Sequence, residues 1–172
     1  MKSARRAAFA ARKNKKKRKF PNSLKFLIPA ILAAIGYLIV FSSARIWNGK
    51  DKVSVVYKYD NGDIGVTVMD PVLSEITTLI IPADTQVDTA RNYGSFRIKN
   101  VWQLGVNEKI DGDLLAETVT QNFLFPTFLW VSKPSGLDDG GTMALINFIF
   151  FPGVTNIPFG DRLRMGLFGV KV

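Results

Sequence analysis

The pattern of hydrophobic and polar positions after residue 52 predicts strands first and helices later. Val53–Tyr59, Ile64–Met69 and Glu75–Ile81 are rich in β-branched and aromatic residues, which are typical of strands. Asn61-Gly62 and Asp70-Pro71 mark the two turns between them, and Asn-Gly is a strong hairpin signal. Three such strands joined by short turns predict an antiparallel meander.

The pattern changes to a helical period further along the chain. The second half of Phe96–Leu104 and the segment after Asp111-Gly112-Asp113, up to Phe123, are predicted helices. Thr127–Ser132 is a predicted short strand, and Asp161–Phe168 is a predicted last helix. Gly141–Phe151 is almost wholly apolar, so a buried helix is favoured and a strand stays open. This order predicts an α+β domain, a mostly antiparallel sheet covered by helices.

An uncharged apolar run of 19 residues, 26–44, precedes this domain. As a helix it would span about 28 Å, close to the hydrocarbon core of a bilayer. The first 25 residues contain eleven Lys or Arg and no acidic residue, and such charge stays on the cytoplasmic side. The sequence therefore predicts a cytoplasmic head (1–25), a transmembrane helix (26–44), a linker (45–52) and an extracytoplasmic domain (53–172).

A cleaved signal peptide is the alternative to an uncleaved anchor. Ser42-Ser43-Ala44 offers the small residues of a cleavage site. The long basic head and an apolar run that exceeds a signal core favour the anchor.

The net charge of +9 does not indicate a nucleic-acid-binding protein. Without the first 25 residues, the chain has 12 basic and 14 acidic side chains. A basic head beside a membrane segment is explained by topology and by anionic lipid. We therefore expect a membrane partner and no nucleic acid.

The chain contains neither histidine nor cysteine. This excludes a Ser-His-Asp triad, a Cys-His dyad and a helical zinc motif. Any chemistry has to use carboxylates, Arg or Lys, hydroxyls, backbone N–H groups or an oxygen-liganded cation such as Mg²⁺.

A series of short motifs has a familiar order. Asp63 precedes a strand that ends in Asp70-Pro71, and the next strand runs into Ile80-Ile81-Pro82-Ala83-Asp84-Thr85. Arg97-Ile98-Lys99-Asn100 and the helix Leu114–Val119 follow. Over roughly residues 60–125 the chain resembles the LytR-CpsA-Psr family of cell-envelope glycopolymer transferases.

The resemblance implies binding of a polyprenyl-pyrophosphate-linked glycan, with Mg²⁺, and its transfer to peptidoglycan or another envelope polymer. It implies Asp63 and Asp84 as magnesium ligands and Arg91, Arg97 and Lys99 as pyrophosphate-binding residues. Carboxylates suit Mg²⁺, and guanidinium or ammonium groups suit phosphate oxygens. Each residue also has an ordinary structural interpretation, in a turn or on a solvated face.

A lipid tail requires an apolar channel, and the chain contains thirteen Phe. We identify Phe123, Phe128, Trp130 and Phe148 as candidates for a lipid groove. The alternative is that these aromatic side chains form ordinary core.

Ala83 departs from the family pattern, which has Arg at this position of its Ile-Pro-Arg-Asp motif. Loss of a phosphate-binding Arg lowers rates by orders of magnitude in comparable reactions, which predicts a degenerate member that is inactive or only binds its ligand. If active, the protein would be a Mg²⁺-dependent glycopolymer phosphotransferase. The alternatives are a non-catalytic envelope scaffold or partner-binding module, and an unrelated anchored binding domain.

Overall fold

The protein, seen in a computed structural model, is described over residues 29–38, 46–134, 136 and 141–172. The chain divides into two compact units, Met1–Ile39 and Val40–Val172. In the first unit, helix α1 covers residues 29–38. None of the helices that are described is long and apolar enough to cross a membrane. The basic head, both ends of the predicted membrane segment and the alternative cleavage site lie outside the described residues, so the anchor stays a prediction.

The second unit is a mixed α+β domain. Its described strands and helices, in chain order, are β1 (Val53–Lys58), β2 (Ile64–Asp70), β3 (Glu75–Ile81), β4 (Gln86–Thr89), β5 (Gly94–Arg97), α2 (Ile98–Asn107), α3 (Asp113–Phe123), β6 (Leu129–Val131), α4 (Thr142–Phe150) and α5 (Phe159–Lys171). The main sheet has the strand order β3-β2-β1-β6. Its pairs are antiparallel except for the parallel pair β1–β6, which confirms a mostly antiparallel sheet.

The predicted meander is confirmed almost residue for residue. β1 pairs with β2 from Val53 opposite Met69 to Lys58 opposite Ile64. β2 pairs with β3 from Ile64 opposite Ile81 to Asp70 opposite Glu75. The loop between β1 and β2 and the end of β3 therefore lie at the same end of the sheet.

Helices cover both faces of the sheet. Successive side chains on a strand point to opposite faces, and the buried residues of β1 divide accordingly. Val56 packs in a cluster with side chains of α2 and α3, whereas Val55 and Tyr57 pack in a second cluster with α4 and α5. Burial of these apolar side chains on each side is the main favourable contribution to the fold.

The helix predictions are confirmed, and α2 and α5 extend beyond the predicted ranges. Gly141–Phe151 contains helix α4, so the strand alternative for this segment is wrong. Helix α3 begins at Asp113, whose carboxylate accepts a hydrogen bond of 2.6 Å from Trp130 Nε1. It ends before Leu124, which has left-handed backbone angles (φ 58°).

One element was not predicted: the two-stranded hairpin β4–β5. Its strands have four residues each and pair from Gln86 opposite Arg97 to Thr89 opposite Gly94. The connecting 3-10 turn, Ala90–Asn92, includes Arg91 with φ 59°. A left-handed Arg is an uncommon turn residue, so the sequence carries no ordinary hairpin signal here.

Gly105 packs where α2 meets the loop that leads to α3, and Gly105→Ala is expected to destabilise the domain. A Cβ at this position would overlap the carbonyl oxygen of Asp111 and lie 3.2 Å from Leu114 Cβ. Backbone cannot move aside cheaply, so we expect a loss of about 2–4 kcal/mol of unfolding free energy in denaturant titrations of the full chain.

The matched control for this variant is Gly141→Ala. A Cβ on Gly141 would meet nothing closer than Ala144 Cβ, at 4.0 Å. Gly141→Ala should therefore cost less than about 1 kcal/mol. Equal losses in the two variants would contradict close packing at Gly105.

Candidate functional site

The loop that follows β3 is held against the loop between β1 and β2. Thr85 N–H donates to Pro82 O at 3.0 Å, which closes a turn over residues 82–85. Ala83 N–H donates to Asp63 Oδ1 at 2.8 Å. The Asp63 carboxylate therefore joins the two loops at one end of the sheet.

The first turn of α2 completes this arrangement. Ile98 N–H donates to Thr85 O at 2.8 Å, and Lys99 N–H donates to Ala83 O at 3.2 Å. These bonds satisfy N–H groups that a helix start otherwise leaves without a partner. Three segments that are distant in sequence therefore meet at residues 83–85.

Four of the predicted site residues lie at this junction, and we call them the Asp84 cluster: Asp63, Asp84, Arg97 and Lys99. Lys99 Nζ lies 2.7 Å and Arg97 Nη1 lies 3.0 Å from the same oxygen, Asp84 Oδ1. The hydrogen bond and charge of Lys99, and then the charge of Arg97, lower the pKa of the Asp84 carboxyl from its ordinary value. The Asp84 side chain is 68% exposed, so these charged groups are accessible to a ligand.

Gly62 allows the stem of Lys99 to approach the sheet end closely. Its φ of +90° is a conformation that glycine adopts without strain. A Cβ on Gly62 would lie 3.3 Å from Lys99 Cβ and 3.4 Å from Ala83 Cβ. The Asn61-Gly62 turn, identified as a hairpin signal, thus also positions Lys99.

The donor set of the Asp84 cluster suits a magnesium ion only in part. Asp63 Oδ1 accepts from Ala83 N–H, and Oδ2 accepts 2.7 Å from Asn61 Nδ2, which leaves further lone pairs on both oxygens. In the part of the chain that the structure describes, no three carboxylates are placed so that they could hold a metal ion together. Two carboxylates suit a Mg²⁺ that takes its other ligands from water and from substrate phosphates.

Arg91 does not join the Asp84 cluster through any ion pair that we observe. Its guanidinium binds Glu117 on α3 in a bidentate manner, with Nε–Oε2 of 2.7 Å and Nη2–Oε1 of 2.5 Å. This bond is the main cause of the lowered pKa of the Glu117 carboxyl. Arg91 lies at the turn of the β4–β5 hairpin and Arg97 at its open end, about 10 Å away along three strand residues.

A groove of about 240 Å³ adjoins the Asp84 cluster. Pro82 and Thr85, which flank Ala83 and Asp84, form one end of its lining. The remaining lining residues come from β2, β3 and the end of α3: Val66, Leu79, Ile80, Ile81, Phe123 and Phe125. No charged side chain lines the groove, so it suits an apolar ligand.

The four aromatic candidates do not form one groove. Phe123 lines the groove beside the Asp84 cluster. Trp130 and Phe148 are buried, in separate clusters on opposite faces of the sheet, so their prediction as groove residues is corrected to core. Phe128 is exposed and lies before β6, at the other end of the sheet from Asp84.

Sequence reasoning missed most of the groove. Leu79 and Ile80 were predicted only as strand residues, and Phe125 was not predicted as a site residue. The available signal was the unbroken run Leu79-Ile80-Ile81, which places an apolar residue on both faces of an edge strand.

No protein-family profile and no curated protein matches the sequence. Solved structures with similarity include B. subtilis TagV, at 21% identity over 59% of this chain and 41% of that chain, with a TM-score of 0.43. The LytR-CPS2A-psr family protein YwtF (TagT) with bound octaprenyl pyrophosphate lipid is 17% identical over 70% of this chain and 59% of that chain (TM-score 0.42). TagT bound to LIIa-WTA is 15% identical over 72% and 56%, with a TM-score of 0.44.

The chain thus spans 41% to 59% of the length of these three proteins. Similarity this low does not transfer a function to this chain.

Proposed function

We propose that this protein binds a polyprenyl-pyrophosphate-linked glycopolymer precursor of the cell envelope. The Asp84 cluster would bind the pyrophosphate, and the adjoining groove would bind the first part of the polyprenyl chain. The observation that carries the proposal is the position of two cationic side chains, Arg97 and Lys99, on one exposed carboxylate beside an uncharged groove. The motif resemblance over residues 60–125 points to the same ligand.

Each cationic side chain has a different part in this binding. The planar guanidinium of Arg97 can bind two phosphate oxygens at once, whereas Lys99 supplies a point charge. Arg97 ends β5 and Lys99 lies in the first turn of α2, and both are already bound to Asp84, so little side-chain freedom is lost when a pyrophosphate binds. The pyrophosphate oxygens would replace the Asp84 carboxylate as acceptors for these donors.

Charge balance favours a magnesium requirement. Two carboxylates and two cations leave the Asp84 cluster neutral, whereas a pyrophosphate diester is an anion. Asp63 and Asp84 would hold Mg²⁺ together with phosphate oxygens, and the ion would neutralise the developing charge if a phosphoryl group is transferred. The acceptor would be peptidoglycan or another envelope polymer.

The location proposed is the extracytoplasmic side of the cell membrane. The basic head and the apolar run 26–44 support a single-pass anchor with a cytoplasmic N-terminus. The groove then serves a substrate whose lipid is in the same membrane.

A non-catalytic envelope scaffold or partner-binding module is the second candidate. Ala83 favours it, because the family's Arg is absent at the junction where Asp63, Asp84 and Lys99 meet. In this case the pyrophosphate would be bound without transfer, or the domain would serve a catalytic relative.

The test is binding of octaprenyl pyrophosphate, the lipid in the YwtF structure, to the full chain in detergent with and without Mg²⁺. Asp63→Asn keeps the acceptor for Ala83 N–H but removes the charge, and Asp84→Asn removes the other charge. We expect Mg²⁺-dependent binding that weakens at least about tenfold in either variant, because each loses a charged ligand.

Asp60→Asn is the matched control, since Asp60 is an exposed carboxylate in the same loop. It should bind like the unchanged protein. Binding that is absent, or that is indifferent to Mg²⁺ and to both substitutions, would overturn the proposed site and favour the scaffold.

A further inference from the structure

The end of the sheet opposite the Asp84 cluster carries five exposed apolar side chains. We call them the Val72 face: Ile46, Val72, Leu73, Leu124 and Phe128. Three of them are among the most exposed large apolar residues of the domain, with Val72 at 81%, Leu124 at 87% and Phe128 at 71%. Such a concentration of apolar side chains on a solvent-exposed surface indicates an interaction site.

Sheet topology places these residues at one end. Val72 and Leu73 are in the turn between β2 and β3, beyond the pair Val53–Met69. Phe128 precedes β6, which runs parallel to β1 with Leu129 opposite Val55. Leu124 is two residues before Pro126, whose carbonyl accepts a 2.5 Å hydrogen bond from Ser54 Oγ at the start of β1.

The chain enters the domain at the same end. Ile46 N–H donates to Asp161 Oδ2 at 2.7 Å, and the Asp161 carboxylate is buried and also accepts from Arg164. Trp47 is buried against Phe168 on α5. Ile46 is therefore held in place, two residues after the predicted end of the membrane segment at Ala44.

We propose that the Val72 face rests in the interfacial region of the lipid bilayer. Two residues span at most about 7 Å, so an anchor that ends at Ala44 leaves this end of the sheet next to the membrane. This inference rests on the membrane anchor of the proposed function, and not on pyrophosphate binding. Apolar side chains that enter the headgroup and acyl boundary by about 5–10 Å are stabilised there.

The contact is apolar rather than electrostatic. Among the described residues, the charged side chains near the Val72 face nearly balance, with two basic and three acidic: Lys50, Lys52, Asp51, Asp70 and Glu75. Association should therefore depend little on salt, unlike the binding of a basic patch to anionic lipid.

This orientation holds the Asp84 cluster away from the bilayer. β2 has seven residues, so the cluster lies about 20 Å from the Val72 face. Phe125 of the groove is next to Pro126 at the membrane-facing end, and Thr85 of the groove is next to Asp84. A polyprenyl chain in the groove would have left the bilayer before its pyrophosphate reaches Asp84.

The absence of cysteine makes a direct test simple. Single cysteines at Val72 or Phe128, with Asp60→Cys in the opposite loop and Met143→Cys on α4 as comparisons, would each carry an environment-sensitive fluorophore. Asp60 and Met143 are exposed. The full chain is reconstituted into vesicles of equal parts phosphatidylglycerol and phosphatidylethanolamine, with or without lipid that carries a nitroxide on its acyl chain.

We expect the nitroxide lipid to quench the labels at positions 72 and 128 at least about threefold more than the label at position 60. Equal quenching at positions 60, 72 and 128 would overturn the inference. Quenching at position 143 alone would also overturn it, because it would place α4 on the membrane. A blue-shifted label at 72 without quenching would indicate a second copy on this face and would also overturn it. Co-flotation distinguishes failure of the Val72 face from failure of the anchor, because a chain that does not float with the vesicles refutes the anchor as well.

Discussion

Arg97→Ala combined with Lys99→Ala is expected to weaken octaprenyl pyrophosphate binding at least about 100-fold. Each cation would form a charge-assisted hydrogen bond to phosphate, and such bonds contribute roughly 1.5–3 kcal/mol each. Both side chains are exposed, at 61% and 37%, so their removal should leave the fold intact. Isothermal titration of the full chain in detergent with Mg²⁺ measures the effect.

Arg91→Ala is the matched control for this double variant. Arg91 was predicted with Arg97 and Lys99 as a pyrophosphate-binding residue, but it lies at the turn end of the β4–β5 hairpin and its guanidinium is bound to Glu117. Removal of the Arg91 side chain should change the affinity for octaprenyl pyrophosphate less than about twofold, because the Asp84 cluster keeps both of its cations. The fold should also remain intact, because an exposed ion pair contributes little to stability. An equal loss in Arg91→Ala and in the double variant would contradict the placement of the ligand at the Asp84 cluster.

Turn chemistry predicted the sheet, whereas the residues of the Asp84 cluster were identified through the family resemblance. Asn61-Gly62 and Pro82 end the strands where the loops of Asp63 and Asp84 begin, so a correct strand register brings the two loops together. The position of Arg97 and Lys99 at the start of α2 follows from the next helix signal. Local signals therefore explain why four of the five polar candidates lie close together, and their role in binding stays a prediction.

Arg91 could not be placed from the sequence, because its position depends on the hairpin β4–β5. Gln86–Thr89 contains one apolar residue, Val87, and the turn before Gly94 uses left-handed Arg91 and Asn92. Bonds to α3 hold this hairpin: Asn122 binds the backbone of Asp88, and Thr118 accepts from Ala90 N–H. Tertiary contacts of this kind leave no local pattern.

The aromatic candidates show a second limit of sequence reasoning. The high content of Phe indicates more apolar surface than a small core requires, but it does not show which of these side chains are buried. Trp130 is covered because its indole N–H has Asp113 as a partner, and Phe148 is covered because α4 directs it to the sheet. Only the relative position of helices and strands decides which aromatic residue lines an open groove.

Ala83→Arg is the variant with the largest expected gain. If the missing guanidinium is the only defect, Arg at this position should create a Mg²⁺-dependent activity. The activity would be either release of phosphate from a polyprenyl pyrophosphate or transfer of its glycan phosphate to an envelope polymer. Ala83 is half-buried, with its N–H on Asp63 and its carbonyl bound to Lys99 N–H, so a longer side chain would begin between the two predicted metal ligands and the cations. A positioned cation of this type contributes about 10²–10³-fold or more to comparable reactions.

The control for this gain is Ala83→Lys, which adds the charge without the bidentate fork and should yield less activity. The product is measured with the full chain in detergent, with Asp84→Asn in the Ala83→Arg background as the negative reference. Binding of octaprenyl pyrophosphate without any activity in Ala83→Arg would exclude an enzyme disabled at one residue. That result would favour the non-catalytic module.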